Sequence, residues 1–168
     1  RQQFSGDEFN VYRALRSINP SPYLFYFDYG NYKLMGSSPE SQLLIKNGHA
    51  IVHPIAGTCL RTGNDALDKQ ATEALLLDEK ENAEHVMLVD LARNDLSTIC
   101  NNVQVNYFKQ VHYYSHVIHL VSEVMGNVPN NSNSFTMLAK TFPAGTLSGA
   151  PKYKAIELID KYEPTKRG

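Results

Sequence analysis

The sequence predicts an α+β fold, and three observations carry that prediction. Stretches of helix formers and stretches of β-branched and aromatic residues come in blocks, not in strict alternation. Asn47-Gly48 stands between two apolar runs, a strong signal for an antiparallel hairpin. Ten Tyr and seven Phe in 168 residues supply bulky core material and exclude global disorder.

Taken in order, Asp7 is placed to cap a helix over Glu8–Ile18, where Val11, Leu15 and Ile18 recur at helical spacing. Asn19-Pro20-Ser21-Pro22 ends it, because a proline pushes its predecessor out of the α region. Tyr23–Tyr29 and Tyr32–Ser37 read as strands joined near Gly30, and Gln42–Lys46 with Ala50–Ile55 as a pair joined by Asn47-Gly48. Asp65–Leu77 and Glu79–Ile99 have the Ala, Leu, Glu, Lys and Met composition of helices. Val103–Val111 and Tyr113–Met125 return to strand composition. After a polar stretch, Phe135–Phe142 reads as a short helix and Pro143–Ala150 as a Gly-rich loop. Pro151 then suits the first position of a helix running to Tyr162.

Charge and composition exclude several classes. Sixteen basic against 17 acidic residues leave a net charge of −1, which gives no electrostatic footing for a nucleic-acid binder. No apolar run approaches the ~18 residues of a membrane span, and no signal peptide opens the chain. Cys59 and Cys100 do not make a secreted disulfide framework. The expectation is a cytoplasmic protein that engages neither nucleic acid nor membrane. Both ends read as cut: the chain starts at Arg1, Gln2-Gln3-Phe4 resembles the tail of a strand, and Lys166-Arg167-Gly168 directly follows a helix. Missing strands would expose edges and apolar faces, so self-association is expected.

Several residues can carry chemistry. On a helix, Glu81 and Glu84 lie on one face about 5–6 Å apart, as hard oxygen donors suited to Mg²⁺. A solvated helix face explains the same spacing. Glu40, after Ser37-Ser38-Pro39, is a lone carboxyl at a strand edge that suits a general acid if its pKa is raised. His112, His116 and His119 would share a helix face. In a continuous strand, however, His112 and His116 fall on one side and His119 on the other, in an apolar wall with Val117 and Val121. The loop from Phe142 to Lys152 carries Gly145, Thr146 and Gly149 into a helix N-terminus, where backbone N–H groups favour anions, without phosphate-loop spacing. Pro54-Ile55-Ala56-Gly57-Thr58 reads as a second Gly-Thr turn at the end of a strand.

The segments NPSPY (Asn19 to Tyr23), SSPE (Ser37 to Glu40), PIAGT (Pro54 to Thr58), DEKENAEH (Asp78 to His85), VDLARND (Val89 to Asp95), SHVIHLVS (Ser115 to Ser122) and PAGTLSGAPK (Pro143 to Lys152) occur in one order. That ordered set resembles the chorismate-using enzymes, most closely the anthranilate synthase component I family, over nearly the whole chain. The resemblance implies a partial four-layer α/β/β/α sandwich, with residues 1–168 as part of a chorismate-binding catalytic domain truncated at both ends. It implies Mg²⁺-dependent amination of chorismate with loss of pyruvate, for tryptophan biosynthesis, using ammonia from a glutamine amidotransferase subunit. Glu40 then matches the general acid for the C4 hydroxyl, Glu84 a direct Mg²⁺ ligand and Glu81 one acting through water. His119 matches the histidine beside the ring, Thr146 a substrate-touching threonine, and Gly57 and Thr58 a substrate-facing turn. Asn19, Pro20, Ser21, Pro22 and Tyr23 match part of a tryptophan feedback site.

Ala56 leans away from aminodeoxychorismate synthases, which often carry a lysine there; those enzymes and isochorismate synthases are the alternatives within the resemblance. A second set of Mg²⁺-binding glutamates would lie beyond Gly168, so the chain alone is expected to be inactive. A non-catalytic module docking a glutaminase is the reading from another class.

Overall fold

The computed structural model describes residues 3–165. Arg1, Gln2 and residues 166–168, on which much of the cut-end expectation rests, lie outside the described residues, and Gln3 and Phe4 are not in a strand. The chain divides into a unit ending at Ser41 and a larger unit beginning at Gln42.

In the first unit, helix α1 (Glu8–Ile18) has the predicted bounds because Asp7 caps it, its carboxylate accepting from the amides of Phe9 (3.0 Å) and Asn10 (3.2 Å). Strands β1 (Tyr23–Asp28) and β2 (Lys33–Ser38) pair antiparallel, with Tyr23 opposite Ser38. Their turn closes where the Gly30 amide donates to Asp28 at 2.7 Å, with Gly30 at φ +78°. The helix meets the hairpin through aromatic rings: Phe9 stands edge-on to Tyr26 at 5.2 Å, and Tyr12 lies 5.6 Å from Tyr26. No described residue of this unit is fully buried.

The larger unit holds strands β3 (Leu44–Lys46), β4 (His49–Val52), β5 (Ile55–Leu60), β6 (Asn101–Tyr113) and β7 (Val117–Asn127) in one antiparallel sheet. Asn47 (φ +52°) and Gly48 (φ +78°) both take positive φ, as the type I′ turn between β3 and β4 requires. β7 is the spine. β6 pairs along one flank, while β4 and β5 pair end to end on the other, at residues 124–127 and 117–121 of β7. The sheet departs from two expectations. The strand expected over residues 50–55 breaks at His53-Pro54 and resumes as β5, so the Gly57-Thr58 step lies inside a strand and not at the end of one. The run expected as one strand from Tyr113 to Met125 is interrupted at residues 114–116, which form the reversal between β6 and β7.

Helices α2 (Asp65–Leu77) and α3 (Glu79–Ser97) follow, with α3 packed across one sheet face. Asp78 ends α2 and caps α3, accepting from the amides of Lys80 (2.9 Å) and Glu81 (3.0 Å). His85, Val89, Ala92 and Leu96 form the buried stripe of α3, and the last three pack in a core with Ala50, Val124 and Met137. Each fully buried Leu or Val contributes about 1.5–3 kcal/mol. Helices α4 (Ser134–Thr141), α5 (Gly145–Ser148) and α6 (Lys152–Tyr162) complete the unit. Pro151 is the cap residue before α6, not its first helical residue, and the loop expected over residues 143–150 contains the short α5. Helices set against a purely antiparallel sheet are the α+β arrangement that block order predicts.

Candidate functional site

The sheet pleat decides which side chains can act together. Along β7, Ile118, Leu120, Ser122 and Val124 are buried on the α3 side, and Val117, His119, Val121, Glu123 and Met125 alternate onto the other. His119 is half-buried there, opposite Thr58 of β5 and opposite His112 of β6. Residues directly opposite share a face, so His112 and His119 lie on the same side of the sheet. The opposite-sides expectation fails because the chain reverses between them.

Thr58 reaches that face through a bulge. Ile55 faces Val121 and Thr58 faces His119, so Ala56 and Gly57 together oppose Leu120. Both are buried on the α3 side. Gly57 has φ +89°, and a Cβ there would stand 3.1 Å from Leu120 Cδ1 and 3.4 Å from Leu75 Cδ1, so glycine suits the step. The extra residue restores Thr58 to the outer face, where its Oγ1 lies 2.9 Å from His119 Nδ1. Tyr114 stands edge-on to the same imidazole at 5.4 Å. Desolvation holds His119 below its ordinary pKa, against a smaller opposing contribution from the Gly57 backbone, so the ring is neutral at pH 7.

On the other face, the first turns of α3 carry Glu81, half-buried, and Glu84, exposed. Neither carboxylate is in an ion pair among the described residues. They are two uncommitted hard donors on successive turns. Among the described residues, no group of three or more His, Cys, Asp or Glu side chains is gathered as a metal site. Two carboxylates leave most of an octahedral shell to water and substrate, a pattern Mg²⁺ often keeps, so the donor chemistry fits it. The Gly-rich loop meets this helix further on: a Cβ on buried Gly145 would lie 3.1 Å from Leu91 Cδ2. Leu91 is two turns beyond Glu84, roughly 10 Å along the axis. Thr146 follows Gly145 and is exposed.

The neighbour of Glu84 is less predictable. His85 is fully buried, with Nδ1 2.9 Å from the Ala56 carbonyl and Nε2 2.6 Å from Ser122 Oγ. Ser122 Oγ also accepts from the Lys109 amide at 2.9 Å. Sequence reasoning missed this group. Its one signal is the position of His85 at the head of a stripe with Val89, Ala92 and Leu96, where an apolar residue is the ordinary occupant.

In the first unit, Ser38 Oγ donates to the Glu40 carbonyl (2.8 Å) and accepts from its amide (3.3 Å), a turn that fixes the backbone of Glu40. Although Glu40 is exposed over the whole residue, desolvation pushes its carboxyl up to about 7. The Asn19-to-Tyr23 segment is tied to the same strand. Ser37 Oγ donates to the Asn19 carbonyl at 2.5 Å and so accepts from Ser21 Oγ at 2.6 Å, and Tyr23 pairs with Ser38. Pro20 and Pro22 are exposed between these anchors. The geometry thus joins Thr58 with His119 and Ser37 with Asn19 and Ser21, and sets Glu81 and Glu84 one turn apart on α3. The sheet separates Thr58 and His119 from the helix that bears the two glutamates.

Comparisons with known proteins agree on one family. The chain is 52% identical over 159 residues to an anthranilate synthase component 1 of Spirochaeta aurantia, covering 94% of this chain and 33% of that protein. It is 46% identical over 170 residues to the same-named protein of Aquifex aeolicus (strain VF5), covering 100% of this chain and 34% of the relative. The chain therefore spans about a third of the length of these curated relatives. The crystal structure of anthranilate synthase component I from Streptococcus pneumoniae TIGR4 matches with a TM-score of 0.85 at 43% identity, over 98% of this chain and 36% of that one. It has the same mixed α/β architecture. A family model described as chorismate binding enzyme matches residues 1–168, and this chain belongs to that family.

Proposed function

We propose that this chain is the part of an anthranilate synthase component I that contributes to chorismate binding and to protonation of its leaving group. The family description supplies the substrate class and the names of the relatives the product, and Glu40 is the observation of this chain that carries the reading. A carboxyl raised to about 7 is half protonated at neutral pH and fully so a unit or two below, as an acid for a departing hydroxyl must be. The whole reaction adds ammonia at C2 of chorismate, expels the C4 hydroxyl as water with the proton of Glu40, and releases the enolpyruvyl group as pyruvate. His119, kept neutral and oriented by Thr58, takes the ring proton as the product becomes aromatic. The departing enolpyruvyl methylene gains one proton to become the pyruvate methyl, and the proton shed by the entering ammonia replaces the one given by Glu40. Gly57, by setting the bulge, returns Thr58 to that face, and Thr146 contacts the substrate from the Gly-rich loop.

Glu81 and Glu84 would hold Mg²⁺, whose positive charge would offset the repulsion between their carboxylates and those of chorismate. Unscreened by a cation, two such charges ~4 Å apart repel by about 4 kcal/mol at an effective dielectric of 20. Asn19, Pro20, Ser21, Pro22 and Tyr23 would contribute to a tryptophan feedback site. Ammonia would come from a glutamine amidotransferase subunit, in the cytoplasm.

The test uses the full-length protein. Glu40→Gln should lower turnover of chorismate with ammonia by about 10²–10⁴-fold while chorismate still binds. Anthranilate fluorescence gives the rate and equilibrium titration the affinity. Near-normal turnover would remove Glu40 from the acid role, and a product other than anthranilate from the unaltered enzyme would overturn the substrate assignment.

A further inference from the structure

Beside Glu84 lies a buried imidazole for which the chemistry above has no use. The donors and acceptors around His85 admit one neutral arrangement. The Ala56 carbonyl can only accept, so Nδ1 carries the proton; Nε2 then accepts from the Ser122 hydroxyl, whose oxygen accepts from the Lys109 amide. Lys109 sits at φ +53° in a β6 bulge, and its Nζ donates to Asn82 Oδ1 at 2.6 Å. Asn82 and His85, one turn apart on α3, are therefore tied into one network that ends on the strand residue preceding Gly57. Glu81 and Glu84 immediately precede those two anchors.

We infer that His85 is a positioning residue: through Ala56 and Ser122 it fixes the turn of α3 that bears Glu81 and Glu84 against the bulged strand carrying Thr58. The inference rests on the reading of those glutamates as ligands of a divalent cation. Ser122 comes from the α3-facing set of β7, between Val121 and Glu123 on the opposite face, so the network also references α3 to the strand that holds His119. Groups hydrogen-bonded to metal ligands change cation affinity by about 10–100-fold when removed, and His85, which acts through the α3 backbone, should fall toward the lower end of that range.

The experiment measures Mn²⁺ affinity of the full-length protein by electron spin resonance, well below each variant's melting temperature. His85→Ala should weaken Mn²⁺ binding by about 10-fold. His85→Asn, whose amide can still donate to the Ala56 carbonyl, should recover part of that loss, and Ser122→Ala should fall between wild type and His85→Ala. If His85→Ala does not fold, the Asn and Ser122 variants decide. Unchanged Mn²⁺ affinity in variants that merely melt lower would overturn the positioning role. Glu84→Gln separates the two claims: if it binds Mn²⁺ normally, the ligand reading itself falls. If it loses Mn²⁺ while the His85 and Ser122 variants bind normally, only the positioning inference falls.

Discussion

Single residues here owe their chemistry to surroundings that their neighbours in sequence do not announce. Glu40 was legible as a candidate from Ser37-Ser38-Pro39, but its raised pKa depends on desolvation that no local pattern encodes. The consequence is a pH dependence of known sign. An acid must be protonated, so kcat of the full-length enzyme should be flat below about 7 and fall above it. A rate profile level to pH 9 would contradict that assignment. Asp68 behaves in the opposite sense. Its buried carboxylate accepts from the Thr62 amide and hydroxyl, both at 2.7 Å, and these bonds, with Arg61 a smaller contributor, hold its pKa below the carboxylate range. A group depressed on folding stabilises fully above its unfolded pKa of about 4, and that stabilisation fades as the pH drops through the folded value. Asp68→Ala should therefore melt lower than wild type at pH 7, with the gap narrowing at pH 3 in thermal scans. His85 escaped detection because a histidine on an α-helix reads as polar surface until the facing strand supplies Ala56 and Ser122.

Elements whose ends are written in short-range chemistry were legible, and those set by pairing partners were not. Asp7, Asn64 and Asp78 each cap the helix that follows, and α1 and α2 have the predicted bounds. The Asn47-Gly48 turn is equally local. By contrast, the Gly57 bulge exists only in register with Leu120, some sixty residues away along the chain. The reversal at residues 114–116 was hidden because tyrosine and histidine fit a strand as well as a turn. The bulge makes its own prediction. In Gly57→Ala the new Cβ meets φ +89° and the Leu120 side chain, so stability should drop by about 1–3 kcal/mol in denaturant melts. An unchanged midpoint would show that this step relaxes freely.

Across the molecule, burial is uneven. The buried residues belong to the unit beginning at Gln42, whereas the first unit rests on a two-stranded hairpin, one helix and half-covered aromatic rings. Isolated hairpins of two strands are marginal in water. In the 168-residue chain by itself, amides of β1 and β2 should exchange with solvent far faster than those of Leu120 and Val124, which are fully buried. Equal protection in a hydrogen-exchange experiment would show that the first unit draws stability from elsewhere. The α+β class was legible from block order, because antiparallel meanders need only short turns.

The end-to-end seating of β4 and β5 on one flank of β7 has a mechanical outcome. Since the two strands meet the spine at different stations, either can unzip without dragging the other away. Breathing of the β3–β4 ribbon would then leave Thr58 latched to His119, and that end of the flank would be insulated from fraying at its far tip.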